Sequence, residues 1–131
     1  MFSRCALVTV LVNNYDAAIT FYKNVGFKLV KDVAYGEGSR WVEFALGEDP
    51  KLPKLNVRVP SAEYADAMGR QGTEGPLLVL EVPDVLQYHA MLTAKGVFAD
   101  EPKEDHGRVG FLLVDPSKNQ YFIREEKSQG K

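Results

Sequence analysis

The chain of 131 residues has one cysteine, two histidines and no long apolar run. A single cysteine excludes an internal disulfide framework and is typical of proteins from a reducing compartment. The apolar segment 6–12 is too short to cross a membrane and lacks a signal-peptide cleavage pattern. Sixteen basic and 18 acidic residues are interspersed, with a net charge of −2, so no basic stripe indicates nucleic acid. The composition predicts a cytoplasmic protein that binds neither nucleic acid nor a membrane.

Several catalytic patterns are also missing. The sequence has no Gly-rich phosphate loop, nucleophile elbow, Cys-X-X-Cys pair or His-Glu-X-X-His segment. The lone cysteine, Cys5, begins an apolar run that predicts a buried strand, so we expect a buried and unreactive thiol.

What the sequence does contain is a repeat. The offset between the two copies decreases along the chain, as shorter loops in the second copy would cause: 70 residues between Gly26 and Gly96, 68 between segments 40–42 and 108–110, and 66 between segments 55–58 and 121–124. Each half has only about 60 residues, a size at which a core of its own is marginal. We therefore expect the two halves to fold against each other.

Each half follows the pattern β-α-β-β-β. Strands are predicted at 5–12, 27–33, 40–46, 55–59, 77–82, 108–114 and 120–125, with a polar stretch at 100–105. Asn14 and Asp84 are expected to cap helices that end at Gly26 and Gly96, and Ser61 a short helix over 62–70. These elements predict one α+β domain over 1–131, with module 1 at about 4–60, a connecting helix and linker at about 61–75 and module 2 at about 76–126.

The pattern also predicts where a ligand would bind. Each helix covers one face of its curved mixed sheet, and packing the two bare faces together would form a cleft suited to a small molecule. Free strand edges that can pair with another copy predict a homodimer.

The ordered motifs resemble the vicinal oxygen chelate superfamily, which includes glyoxalase I, extradiol dioxygenases and bleomycin-resistance proteins. The resemblance covers nearly the whole chain and is carried by segment 12–27 with its Phe21-Tyr22 pair, the echo at 81–85 with Gly96-Val97, and Gly107-Arg108 followed by segment 115–119. It implies paired βαβββ modules and, in the enzymes, a divalent metal held by four His, Glu or Gln residues.

The positions that the resemblance assigns to metal ligands are Leu7, Asn56, Leu77 and Phe122. Only Asn56 offers an oxygen, and a slip of one residue at any position supplies no usual ligand. We therefore expect no metal and no other cofactor.

Three polar residues are further candidates. His89 is interpreted as a partly exposed helical residue, and His106 either as a solvated loop residue or as part of a cleft mouth. Glu43 lies in an otherwise apolar strand, where it is a weak candidate for a general base or for an anchor of a cationic ligand. The alternative is an outward-facing glutamate beside Arg40 or a cross-strand lysine.

Aromatic side chains supply the remaining candidates. Trp41, Phe111, Tyr121 and Phe122 lie on strands where they could stack on a planar ligand or pack the core. Arg124, two residues beyond Phe122, could meet a carboxylate or phosphate or simply end the strand in solvent. The expected ligand-binding residues are Leu7, Thr9, Trp41, Glu43, Asn56, Leu77, Phe111, Phe122 and Arg124.

These observations predict a metal-independent small-molecule-binding protein of the glyoxalase/bleomycin-resistance type, with its ligand in the cleft between the modules. One alternative is a glyoxalase-like lyase or isomerase, or a dioxygenase, acting on a small substrate. The other is a protein-interaction module whose cleft is filled by Leu7, Leu77 and Phe122.

Overall fold

The computed structural model describes residues 1–72 and 74–127. Module 1 contains β1 (Leu7–Leu11), α1 (Tyr15–Asn24), β2 (Lys28–Ala34), β3 (Arg40–Ala45) and β4 (Lys54–Arg58). Module 2 contains β5 (Leu78–Val82), α2 (Val85–Ala94), β6 (Lys103–Asp105), β7 (Arg108–Val114) and β8 (Gln120–Glu125). A 3₁₀ helix, Ala62–Ala67, lies between them. The predicted α+β fold of two tandem βαβββ units is confirmed.

The strands form two four-stranded sheets of the same topology. Sheet 1 has the order β1-β4-β3-β2 and sheet 2 the order β5-β8-β7-β6. In each, the first strand pairs parallel with the fourth and the other pairs are antiparallel. Both sheets are therefore mixed, as expected when a helix connects the first strand to the rest.

The helices begin where the sequence predicts. Asn14 accepts a hydrogen bond from the Ala17 amide at 2.8 Å, and Asp84 accepts one from the Gln87 amide at 3.0 Å, so each side chain caps its helix. The prediction for Ser61 was wrong. Its side chain makes no capping bond, and the short helix is 3₁₀ and ends at Ala67, because 3₁₀ hydrogen bonds have poor geometry and rarely extend beyond a few residues.

One hydrophobic core joins the two modules. The hydroxyl group of Tyr22 on α1 lies 2.6 Å from both the carboxylate of Asp115 and the hydroxyl of Tyr121. From the other side, the hydroxyl of Tyr88 on α2 donates to the carbonyl of Val25 at 2.5 Å. These contacts lie on the helix-covered sides of the sheets, whereas the sequence analysis expected the bare faces to pack together.

The free edge of β1 is protected by the linker. The side-chain amide of Gln71 accepts from the amide of Leu11 at 2.7 Å and donates to the carbonyl of Thr9 at 2.9 Å. Because these are the bonds that another strand would make, Gln71 blocks strand addition here.

Two expectations from the sequence were wrong in detail. Cys5 is exposed, because β1 begins only at Leu7 and no element covers the residues before it. The repeat offset between β3 and β7 is 69 residues rather than 68: Val42 pairs with Val57, and Phe111 pairs with Ile123, at an offset of 66. A slip of one residue moves a side chain to the other face of a sheet.

Candidate functional site

The open face of sheet 1 is the face that α1 does not cover. Its central row runs across three strands, because Thr9 and Glu43 are both opposite Asn56 in the ladders. The Thr9 hydroxyl donates to the Asn56 side-chain oxygen at 3.3 Å, and the Asn56 amide donates to the Val42 carbonyl at 3.0 Å. The row is thus fixed by hydrogen bonds, and Asn56 is 2% exposed.

Trp41 lies beside this row. It is two residues before Glu43 on β3, so both side chains project from the same face, and the indole N–H donates to the Glu43 carboxylate. Of the two neighbours expected for an outward-facing Glu43, a cross-strand lysine is present, because Lys31 on β2 lies opposite Glu43 in the ladder. Arg40 is not a neighbour of this kind, since it bonds to Asp16 and Asp32 on the other side. The hydrogen bonds that Arg40 donates, first those to Asp32 and then the one to Asp16, raise the pKa of Arg40 above its usual range.

A cavity of about 430 Å³ borders Trp41 and Asn56. Its wall is completed by residues of sheet 1, the start of α1, the β2–β3 turn and the start of the linker, among them Tyr15, Tyr35, Arg40, Arg58 and Pro60. It is a recess with one aromatic wall, hydrogen-bonding groups and mixed polarity.

The open face of sheet 2 carries a charged cluster that the sequence analysis found only in part. One oxygen of Glu81 accepts from Arg124 Nε at 2.8 Å and from Arg108 Nη1 at 3.0 Å. These hydrogen bonds, first the one from Arg124, hold the pKa of Glu81 below its ordinary value. Arg108 Nε is buried without a hydrogen-bond partner among the described residues.

The ring of Phe122 lies over Gly110 on β7, beside this cluster. A Cβ atom at Gly110 would be 2.6 Å from Phe122 Cζ, so the ring occupies the space that a side chain on β7 would need. A cavity of about 410 Å³ borders the ring and the two arginines, with Asp105, His106 and Lys127 on its rim.

A third cavity, of about 430 Å³, lies at the junction of the modules. Phe27, Leu46 and Leu52 of module 1 face segment 79–82 and Arg124 of module 2 across it. It therefore reaches the charged cluster from the module 1 side.

The other predicted site residues lie elsewhere. Leu7 pairs with Lys54 at the end of sheet 1, and Leu77 precedes β5, where its amide bonds to the Gln120 carbonyl. Phe111 is 2% exposed and stacks against Tyr88. The expectation that Phe111 lines the cleft was wrong, because the offset of 69 makes it equivalent to the buried Val42.

Tyr121 takes the second of the two roles left open for it, core packing, since it is 1% exposed and contacts Tyr22. His89 is a half-buried helical residue whose ring meets that of Phe111 edge-on, as expected of a packed histidine. The His106 side chain is 92% exposed beside Asp105.

The metal site that the resemblance implies does not fit these residues. Its four positions hold two leucines, a phenylalanine and an asparagine, and the asparagine amide already bonds within the sheet. Among residues 1–72 and 74–127, no group of three or more His, Cys, Asp or Glu residues could hold a metal ion. In the same ranges, no helix is long and apolar enough to span a membrane.

Two tandem βαβββ modules, each with one helix-covered and one open sheet face, define the paired-module class of α+β proteins. The chain belongs to the Glyoxalase/Bleomycin resistance protein/Dioxygenase superfamily, whose family profile matches residues 4–120. The resemblance to the vicinal oxygen chelate superfamily is thereby confirmed.

Individual relatives agree with this family. An uncharacterized protein of Shewanella frigidimarina (strain NCIMB 400) is 30% identical over 106 residues, which are 78% of each chain. TnmS3, an antibiotic binding protein from Streptomyces sp. CB03234, superposes with a TM-score of 0.76 at 26% identity, over 96% of this chain and 98% of that one. A glyoxalase/bleomycin resistance protein from the same Streptomyces strain gives 0.68 at 28% identity, over 91% and 97%.

Proposed function

We propose that this protein binds a small, partly aromatic or apolar molecule without the help of a metal ion. The observation that carries the proposal is the recess that borders Trp41 and Asn56. Both residues belong to the hydrogen-bonded group on the open face of sheet 1, which also includes Thr9 and Glu43. The recess volume of about 430 Å³ is within the range of pockets for small ligands. A flat indole offers stacking area at little entropic cost.

Metal independence is supported by the donor chemistry. Divalent metals in proteins bind imidazole nitrogen, thiolate sulfur or carboxylate oxygen, and the implied positions offer one amide. The likeness to an antibiotic binding protein supports binding without a chemical step.

We further propose that the binding cleft is completed in a homodimer. The modules of one chain contact each other through their helix-covered sides, so each open face supplies one wall of a cleft. Val79, on the open face of sheet 2, is 48% exposed, and a second copy seated on this face would cover it. An exposed free thiol at Cys5 is consistent with a reducing, cytoplasmic location.

Glu43 is the residue through which an enzymatic role would act. If it is a general base, Glu43→Gln abolishes turnover while ligand affinity is kept; if it anchors a cation, the same change abolishes affinity for that cation. Under the proposal of binding alone, Glu43→Gln keeps an oxygen for the Trp41 indole and changes affinity less than about threefold.

The test is native mass spectrometry of the protein purified from its own host, with metal analysis of the same sample. We expect a retained organic mass and no stoichiometric metal. Trp41→Ala should lose the organic mass, whereas Phe98→Ala, which removes an exposed aromatic ring outside both open faces, should retain it. Stoichiometric nickel, zinc, manganese or iron, or equal retention by both variants, would contradict the proposal. Light scattering at micromolar concentration tests the dimer, which a monomeric mass would rule out.

A further inference from the structure

We infer that the open face of sheet 2 binds the carboxylate group of an apolar or aromatic molecule through Arg108 and Arg124. This inference rests on the proposed function and adds the charged part of the ligand.

The charged cluster on sheet 2 has more positive than negative side chains. Two guanidinium groups share one carboxylate, and both bonds end on the same oxygen of Glu81. Arg40 shows the opposite ratio, because its single guanidinium bonds to Asp16 and Asp32. The Arg40 charge is therefore matched within the protein, whereas the cluster on sheet 2 keeps one positive charge.

The two guanidinium groups also have N–H donors that Glu81 does not use. Each guanidinium has five N–H groups in a planar fork, and each of these two uses one of them for Glu81. Arg108 Nε is buried and has no partner among the described residues. A buried donor without an acceptor is unfavourable, so an acceptor bound at this position would remove that cost.

The side chains around the two arginines also favour a carboxylate. The cavity of about 410 Å³ is bordered by Arg108, Arg124 and Lys127 on the positive side and by Asp105 on the negative side. With Glu81 included, the excess is one positive charge, which matches a singly charged carboxylate better than a doubly charged phosphate. The ring of Phe122, which lies over Gly110, supplies an apolar surface beside the charged groups. A carboxylate attached to an apolar body fits both.

The experiment follows the Nε–Hε signals of the arginines by NMR while the protein is titrated with benzoate, with its neutral analogue benzyl alcohol, and with inorganic phosphate. We expect benzoate to shift the signals of Arg108 and Arg124 and to bind at least about fivefold more tightly than benzyl alcohol, because hydrogen bonds to charged groups are the stronger ones. Phosphate alone, which lacks an apolar body, should bind more weakly than benzoate.

Two substitutions give opposite expected results. Arg124→Gln should weaken benzoate binding about tenfold, since it removes a charged donor. Glu81→Gln should strengthen it about two- to fivefold, because it removes the internal competitor for both arginines, an exposed ion-pair partner of modest strength. Lys95→Gln is the control: it removes one positive charge from the same module at the end of α2, and should leave benzoate binding unchanged.

The outcomes separate this inference from the function that it rests on. If Glu81→Gln does not strengthen binding, or if benzyl alcohol binds as tightly as benzoate, the arginines only hold β5, β7 and β8 together and the inference fails, although the proposed function stands. If neither aromatic probe binds and the native protein carries no organic mass, both fail. A gain of affinity in Glu81→Gln cannot arise from unfolding, and the comparison of benzoate with benzyl alcohol uses the unmodified protein and so does not depend on the stability of a variant.

Discussion

The hydrogen-bonded group of Tyr22, Asp115 and Tyr121 makes a prediction about what holds the two modules together. Tyr22 is 0% exposed and Tyr121 1% exposed, and the Tyr22 hydroxyl lies 2.6 Å from both partners. Among the described residues, the Tyr121 hydroxyl has one hydrogen-bond partner, Tyr22, whereas the Asp115 carboxylate also accepts from three N–H groups, those of Ser117 and Asn119. Burial is the main cause of the strongly raised pKa of Tyr22, so its hydroxyl is protonated at neutral pH.

The magnitude follows from these partners. Tyr22→Phe removes a hydrogen bond to a carboxylate, about 1.5–3 kcal/mol, and leaves the Tyr121 hydroxyl buried without a partner, about 1–3 kcal/mol. After partial relaxation we expect a loss of about 3 kcal/mol in the free energy of unfolding. Tyr121→Phe should cost about 1 kcal/mol, because Tyr22 keeps its bond to Asp115. The double variant should cost about 1 kcal/mol less than the sum, since no hydroxyl is then left unpaired.

The measurement is urea unfolding at neutral pH, with all variants at one protomer concentration because dimerisation would make stability depend on it. Tyr64→Phe, whose side chain is on the exposed 3₁₀ helix, is the control and should have no measurable effect. A loss below about 1 kcal/mol for Tyr22→Phe, or additive losses in the double variant, would refute the reasoning.

Two further predictions concern stability. Gly69 has φ +75°, and a Cβ there would lie 2.8 Å from the Ser117 carbonyl oxygen and from the Lys118 side chain. We therefore expect Gly69→Ala to lower the free energy of unfolding in urea by about 3 kcal/mol. Gly96 has a similar φ of +76° but faces open space, so Gly96→Ala should lower it by only about 1 kcal/mol. Equal losses would show that contact with Ser117 and Lys118 is unimportant. Burial raises the pKa of Tyr88 to about 12. The folded state therefore keeps a proton that the unfolded chain loses above about pH 10. The stability that this residue contributes is complete below about pH 10 and should fall by about 2 kcal/mol as the pH rises to about 12. Because Tyr22 also has a raised pKa, the contribution of Tyr88 is measured as the difference in unfolding free energy between the protein and its Tyr88→Phe variant; a difference that stays constant over that range would contradict the assignment.

Much of the fold could be predicted because its signals are local. The helix caps at Asn14 and Asp84 and the last strand, Gln120–Glu125, lie where the sequence placed them. The polar face of sheet 1 was also accessible, since Thr9, Trp41 and Glu43 alternate with buried residues. Local alternation identifies the two faces of a strand, but it does not say which strand is opposite which.

That limit explains the errors at the candidate site. Phe111 was expected to bind the ligand because it is an aromatic residue on a strand, and only its pairing with Ile123 shows that it corresponds to the buried Val42. The charged cluster was recognised only in part, because the sequence does not show which strands are neighbours. Arg124 was recognised as a candidate, but Glu81 lies 43 residues away and becomes its partner only when β5 pairs with β8.

The sequence by itself determined the two-module βαβββ repeat, the position of most elements and the family, whereas β6 (Lys103–Asp105) lies in a stretch recognised only as polar. Periodicity, caps and turn residues act over a few neighbouring positions and can be read along the chain. The tertiary structure decided which sides of the modules meet, through Tyr22 and Tyr121, and which charges share a carboxylate on sheet 2. Those contacts join residues from separate strands and helices, and strand register, a cooperative result of packing the whole core, fixes them.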